Sequence, residues 1–201
     1  MTPTIEELLK EYDFDPSLID RIAFRKHKQP IAIVEPDPKW PEHFARAKAR
    51  IESAIGDTAV SINHVGSTSV PGLPAKAVID IDLTVKDIND EASYANALEN
   101  AGFHFLVREP GWHGHRFFCD YEPVPTNLHV WGPGCPEVVR HKIFADWLRK
   151  NEDDRKAYEN IKRESAKASA ENGEDVMEYN NRKQNVIREI LQRAFKDLGY
   201  V

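Results

Sequence analysis

Asp80 and Asp82 stand two apart in the apolar run Ala77-Val78-Ile79-Asp80-Ile81-Asp82-Leu83-Thr84-Val85. On a strand, residues two apart leave the same face, so the two carboxylates project together. Neighbouring carboxylates repel each other unless a cation lies between them. Oxygen ligands of this kind suit Mg2+, which takes one or two carboxylates plus phosphate oxygens. Upstream lies His64-Val65-Gly66-Ser67-Thr68-Ser69, and the loop continues to Lys76. Gly66 lets a backbone turn sharply and approach a ligand, because no Cβ intervenes. Ser67, Thr68 and Ser69 supply hydroxyl and N–H donors for phosphate oxygens, and Lys76 adds positive charge. A lone Asp-x-Asp or a lone Gly-Ser turn commonly marks a plain strand end or loop. The ordered combination of strand, Gly-Ser turn and Asp-x-Asp strand points to a place for a metal-bound polyphosphate.

Other residue types offer competing chemistry. His115 and His129 could ligate a transition metal, and His113 stands two residues before His115. Trp112 and Trp131 could stack on a base, although packing is the commoner role for either. Arg116, Arg140, Lys142 and Arg149 could line an anion groove, but such cations usually pair with acids, as Asn151-Glu152-Asp153-Asp154-Arg155-Lys156 suggests nearby. The sequence holds no recognisable Ser-His-Asp arrangement, Walker loop or Rossmann fingerprint.

Elements must bring these residues together. Thr4 and Glu7 form a capping-box pattern for a short helix over residues 4–12, and Asp15-Pro16 predicts a second helix start. Arg25 to Pro30 reads as a polar linker. Residues 31–35, 59–65, 77–85, 103–107, 115–121 and 127–131 read as strands. Asp37-Pro38 opens a helix on which Trp40, Phe44, Ala47, Ile51 and Ile55 recur at helical spacing. A further helix is expected over residues 87–101. From Cys135-Pro136 onward the pattern is helical, with a break at Asn172-Gly173. The expected class is α+β: a mixed sheet flanked by helices, followed by a helical C-terminal third.

Composition bounds the alternatives. The chain has 201 residues, 41% hydrophobic and 30% charged, enough to bury a core. Its formal net charge of −6 argues against long-range attraction to nucleic acid. No apolar run approaches the ~20 residues of a membrane span. The opening residues lack the basic and apolar regions of a secretion signal, so a cytoplasmic setting with Cys119 and Cys135 reduced is expected.

The run from His64 to Asp82 resembles the signature of the GrpB-like family: His-x-Gly-Ser-Thr-x-Val-Pro-Gly-Leu, then a lysine and an Asp-bearing strand. Asp37, Trp40 and Phe44 resemble the family's opening segment, and Leu128-His129-Val130 a later strand. Phe144, Asp146, Leu148 and Arg149, then Tyr158 and Lys162, resemble its following helices. The similarity spans about residues 30–195, leaving residues 1–29 as an N-terminal helical extension. It implies a nucleotidyltransferase-like fold in which Gly66 and Ser67 contact phosphate and Asp80 and Asp82 hold Mg2+. It also implies a nucleotide or other phosphorylated small molecule as ligand, with nucleotidyl transfer to an acceptor as the associated activity. GrpB-like domains also occur fused to dephospho-CoA kinase, which hints at a nucleotide-related or folding-accessory role. Active members of that superfamily place a third carboxylate on a later strand. Here the matching strand offers His129, either as a catalytic base or as the mark of a module that binds without transfer.

Overall fold

The structure, a computed structural model, describes residues 2–12, 15–28 and 31–201. Six strands form one sheet in the order β1-β4-β5-β6-β3-β2. They are β1 (Asp20–Arg21), β2 (Ala59–Val65), β3 (Ile79–Val85), β4 (His104–Glu109), β5 (His115–Asp120) and β6 (Thr126–Trp131). All neighbours are antiparallel except β3 and β6, which run parallel. The sheet is therefore mixed, and with its helices it gives the expected α+β class.

The two faces of β3 differ because its residues alternate in type. Ile79, Ile81, Leu83 and Val85 are fully buried on one face. They meet α2 (Trp40–Ile55), whose Trp40, Ala47, Ile51 and Ile55 form its buried stripe. Leu128 and Val130 of β6 and Phe118 of β5 continue this core. Asp80, Asp82 and Thr84 leave the opposite face, opposite Asn127, His129 and Trp131 of β6 in register.

That second face meets the C-terminal helices. They are α4 (Pro136–Lys150), α5 (Glu152–Asn172) and α6 (Val176–Asp197). Gly173, at φ 66°, closes α5 in the left-handed conformation that L-residues adopt at a cost. Asp175 opens α6 with a capping box to Glu178. Val70 and Leu73, from the loop between β2 and β3, pack among these helices with Ala145, Leu148, Tyr158 and Ile190. The helices thus hold the loop against the sheet.

Several local expectations change. Residues 31–35 make only an isolated bridge, Val34 to Ala75, because the segment finds no strand to ladder with. The helix expected over 87–101 shrinks to a 3-10 turn at Glu91–Ser93 and α3 (Ala95–Asn100). The helical third breaks a second time, at Asn151 between α4 and α5. Near the N-terminus, α1 (Ile5–Leu9) carries the Thr4–Glu7 capping box, while Asp15 caps only a 3-10 turn, Pro16–Leu18. β1 follows and extends the sheet along β4. The expected boundary at residues 29 and 30 lies outside the described residues. Among the described residues, no helix is long and apolar enough to cross a membrane.

Candidate functional site

Gly66 sits at φ 67°, and a Cβ there would meet the Asp80 carboxylate. The turn and the first acid are therefore in direct apposition. Asp80 Oδ1 accepts a hydrogen bond from Asn127 Nδ2 at 2.7 Å. Asn127 Oδ1 in turn accepts from Arg25 Nη2 at 2.9 Å. This line of contacts leads from the N-terminal segment, across β6, to the acid on β3.

Asp82 has a different setting. It is fully buried, with Oδ1 accepting from Trp131 Nε1 at 2.9 Å and Oδ2 paired with His141 Nδ1 at 2.8 Å. Burial alone pushes its carboxyl up, but the His141 charge and hydrogen bond, with the Trp131 donor, bring it below the usual value. Burial likewise opposes charge on His141, yet Asp82 carries its pKa up to about 9. Asp82 and His141 form an ion pair in which both Asp82 oxygens are engaged by protein donors. The arrangement does not fit a Mg2+ ion held by both carboxylates. It fits one held by Asp80 together with oxygens of a ligand, since among the described residues no donor reaches Asp80 Oδ2.

The hydroxyls of the turn are only partly available. Thr68 Oγ1 donates to Val78 O at 3.1 Å and receives His64 Nε2 at 3.0 Å. His64 is therefore the Nε2–H tautomer, and burial first, then the charge of Arg149, pulls its pKa down to about 4. Ser69 Oγ donates to Gly66 O at 2.7 Å. Ser67 faces the Tyr158 hydroxyl. Thr68 and Ser69 thus shape the turn, while Ser67 lies against Tyr158.

Positive charge gathers beside this turn. Lys76 and Lys183 place their ammonium groups 4.8 and 4.1 Å from the centroid of the Tyr179 ring. Lys162 lies over Tyr158 at 4.7 Å and donates to Pro74 O at 2.5 Å. Among the described residues, none of the three pairs with a carboxylate within 4.0 Å. Burial, then Lys76, depresses Lys183 to about 7; burial, then Lys183, does the same to Lys162. Burial also lowers Lys76, against the raising charge of Asp80. Arg25 Nη1 is buried without a partner among the described residues. A buried donor left unpaired is costly, so such an atom is a natural contact for a ligand oxygen.

His129 belongs to a separate hydrogen-bonded line. Glu109 Oε2 lies 2.6 Å from His115 Nδ1, and His115 Nε2 lies 3.0 Å from His129 Nδ1. Burial pulls the two imidazoles down to about 3 and about 4, so both are neutral. With Glu109 accepting from His115 Nδ1–H, His115 Nε2 must accept from His129 Nδ1–H. His129 Nε2 then carries a lone pair, and among the described residues it has no partner. The two histidines face each other through a proton. Among the described residues, no group of three or more His, Cys, Asp or Glu is arranged to hold a metal ion.

The wider cation groove does not form. Arg116 pairs with Glu91, Arg140 with Glu11 and Glu137, and both Lys142 and Arg149 with Asp146. Trp112 and Trp131 pack edge to face at 5.0 Å. Sequence reasoning missed Arg25, Asn127, His141 and Lys183 in the site. Lys183 carried a signal: four residues after Tyr179 on α6, it shares the stripe that turns Tyr179 inward. Arg25 had none, because only the tertiary course of the chain brings it to Asn127.

Comparison with known proteins places this site in a family. A UPF0157 protein of Halalkalibacterium halodurans is 39% identical over 193 residues, covering 96% of this chain and 93% of that protein. A UPF0157 protein of Streptomyces coelicolor is 38% identical over 164 residues, covering 82% of this chain and 84% of its own length. The crystal structure of a conserved GrpB protein from Enterococcus faecalis shares the fold, with a TM-score of 0.71 at 24% identity over 83% of this chain and 99% of that one. The GrpB protein family matches residues 30–193, taking in the Gly66 turn, both acids, His129 and the lysine cluster, and the chain belongs to that family.

Proposed function

We propose that the chain binds a phosphorylated small molecule of the nucleotide class beside the Gly66 turn, and that binding without transfer is its primary activity. The observation that carries this reading is the convergence of Arg25, Lys76 and Lys183 near one acid, Asp80, with no carboxylate paired to any of them among the described residues. Buried ammonium groups repel one another and resist protonation, and a polyphosphate relieves both costs at once. Ser67 adds a hydroxyl, and Mg2+ accompanies the ligand on Asp80 and phosphate oxygens. The engagement of Asp82 by His141 and Trp131 supports binding over transfer, because it leaves one carboxylate where in-line displacement generally uses more.

Calorimetric titration tests this with sodium triphosphate and with nucleoside triphosphates, each with and without MgCl2. Binding that weakens at least tenfold in Lys183→Met and Arg25→Ala supports the reading. No heat with any of these probes, or equal affinity in both variants, refutes it.

Nucleotidyl transfer is the second reading, favoured by the neutral His129 and its unpartnered Nε2. There it would accept the proton of an attacking hydroxyl. Release of pyrophosphate from a nucleoside triphosphate, lost in His129→Ala, is the result this reading requires.

A further inference from the structure

A cavity of about 300 Å³ lies between the N-terminal segment, the β4–β5 turn and α6. Tyr12 and Trp112 line it with rings, Ile187 with an aliphatic surface, and Glu109, Asn180 and Gln184 with polar groups. Its size falls at the low end for small-ligand pockets, roughly 300–1,000 Å³, so it suits one ring system better than a whole nucleotide. None of the phosphate-site residues lines it.

Two features narrow the occupant. First, the Asn180 and Gln184 carboxamides make no hydrogen bond to another described residue. Glu109 keeps Oε2 on His115, which leaves its Oε1 and the two carboxamides as the polar groups a guest would meet. A flat heterocycle offers apolar faces to Tyr12 and Trp112 and edge donors and acceptors to the amides and carboxylate. Second, the cavity and the cation cluster are both built on α6. Asn180 and Gln184 are four apart and share one stripe of the helix. Tyr179 and Lys183, each one residue earlier, form the neighbouring stripe, about 100° around the axis. A molecule with a ring at one end and phosphates at the other would straddle α6 at this point.

We infer that the Trp112–Gln184 cavity receives the heterocyclic base of a nucleotide whose phosphates lie at Lys76 and Lys183. The inference rests on the phosphate reading above for its anionic half and on the cavity for its other half. It makes α6 the element that reads both ends of the ligand. It also places Glu109 at the base, and the line through His115 joins Glu109 to His129.

The test compares sodium triphosphate with ATP, GTP, CTP and UTP by calorimetry in the presence of MgCl2, and follows the Trp112 indole N–H signal by NMR during addition of the four nucleosides. At least one nucleoside triphosphate should bind tenfold or more tighter than triphosphate. Gln184→Leu and Asn180→Leu should close that gap while leaving triphosphate affinity unchanged. Both positions are at the helix surface, and circular dichroism confirms that the variants fold. The matching nucleoside alone should shift the Trp112 signal at millimolar concentration. Triphosphate binding as tightly as all four nucleotides, or a gap that survives both substitutions, overturns the inference and leaves the phosphate reading standing. A Trp112 shift with nucleosides but no triphosphate binding upholds the cavity and overturns the phosphate reading. An unmoved Trp112 signal with every nucleoside overturns the cavity assignment whatever the phosphates do.

Discussion

A Cβ on Gly66 would lie 2.3 Å from Asp80 Oδ2, far inside any real contact. The same residue holds φ 67° and ψ −172°, a region essentially reserved for glycine, where an L-residue pays about 1–3 kcal/mol in backbone strain. Two independent constraints thus demand glycine at this position. Gly66→Ala should lower unfolding free energy by at least about 1 kcal/mol, measured by urea denaturation. It should also push Asp80 off Asn127 and weaken triphosphate binding. A variant as stable as the parent, with the same affinity, would show that the apposition is not needed.

The two acids should separate sharply under substitution. Asp82→Asn removes a buried charge on which His141 and Trp131 converge, and a hydrogen bond to a charged group contributes roughly 1.5–3 kcal/mol. A drop of that size in denaturant unfolding is expected, whether or not Mg2+ is present. Asp80→Asn keeps an oxygen for Asn127 and should cost less stability. Its effect should appear in the ligand titration, where the gain in affinity on adding MgCl2 disappears. Equal stability losses in the two variants, or a Mg2+ response that survives Asp80→Asn, contradicts this division.

The lysine cluster gives a pH dependence of definite sign. Lys162 and Lys183 have folded-state values of about 7, depressed from 10.5 by burial first and then by a neighbouring ammonium. For a depressed value, the contribution to stability is full above the unfolded value and is lost as pH falls through the folded one. Their contribution should therefore decline as pH falls from about 10 towards 7, and a bound polyanion should reverse the loss by favouring the charged form. Triphosphate should raise the melting temperature more at pH 6.5 than at pH 8.5. Lys183→Met should flatten that difference. A larger shift at the higher pH would mean that the lysines do not hold the anion.

These contrasts show how far the sequence could be read. Alternation in Ile79-Asp80-Ile81-Asp82-Leu83 made the two-faced central strand visible, and Gly66 before Ser67 marked the bend beside it. Period-3.6 patterning gave α2 and α6, whose apolar stripes are strong. The strand expected at residues 31–35 failed because local propensity does not say whether a partner edge exists. Sequence also placed Asp80 and Asp82 on one face without distinguishing their surroundings. Their difference comes from α4, which brings His141 to one acid across 59 positions, and from Trp131, which is set by the β3–β6 register. Arg25 read as part of a linker because nothing local marks a guanidinium that will be buried against another strand.

The histidines of the sheet provide a last discriminating measurement, since neighbours within a few ångströms should titrate far apart. His141 is held up to about 9 by Asp82, against its own burial. His115 and His129 are held down to about 3 and about 4 by burial first. A raised folded value means that the His141 contribution to stability is complete below its unfolded value near 6.5 and is lost as pH rises through about 9. The depressed pair works the other way, contributing fully above 6.5 and losing that contribution as pH falls towards 4 and 3. Because the lysines oppose His141 in the alkaline range, bulk stability would blur its effect, and ring signals followed by NMR separate them. The His141 ring should titrate near pH 9 and return towards 6.5 in Asp82→Asn, while the His115 and His129 rings stay neutral down to pH 5. A His141 midpoint below 7 in the parent protein would mean that Asp82 is not paired with an imidazolium, and the ion pair would give way to a neutral Nδ1–H donor.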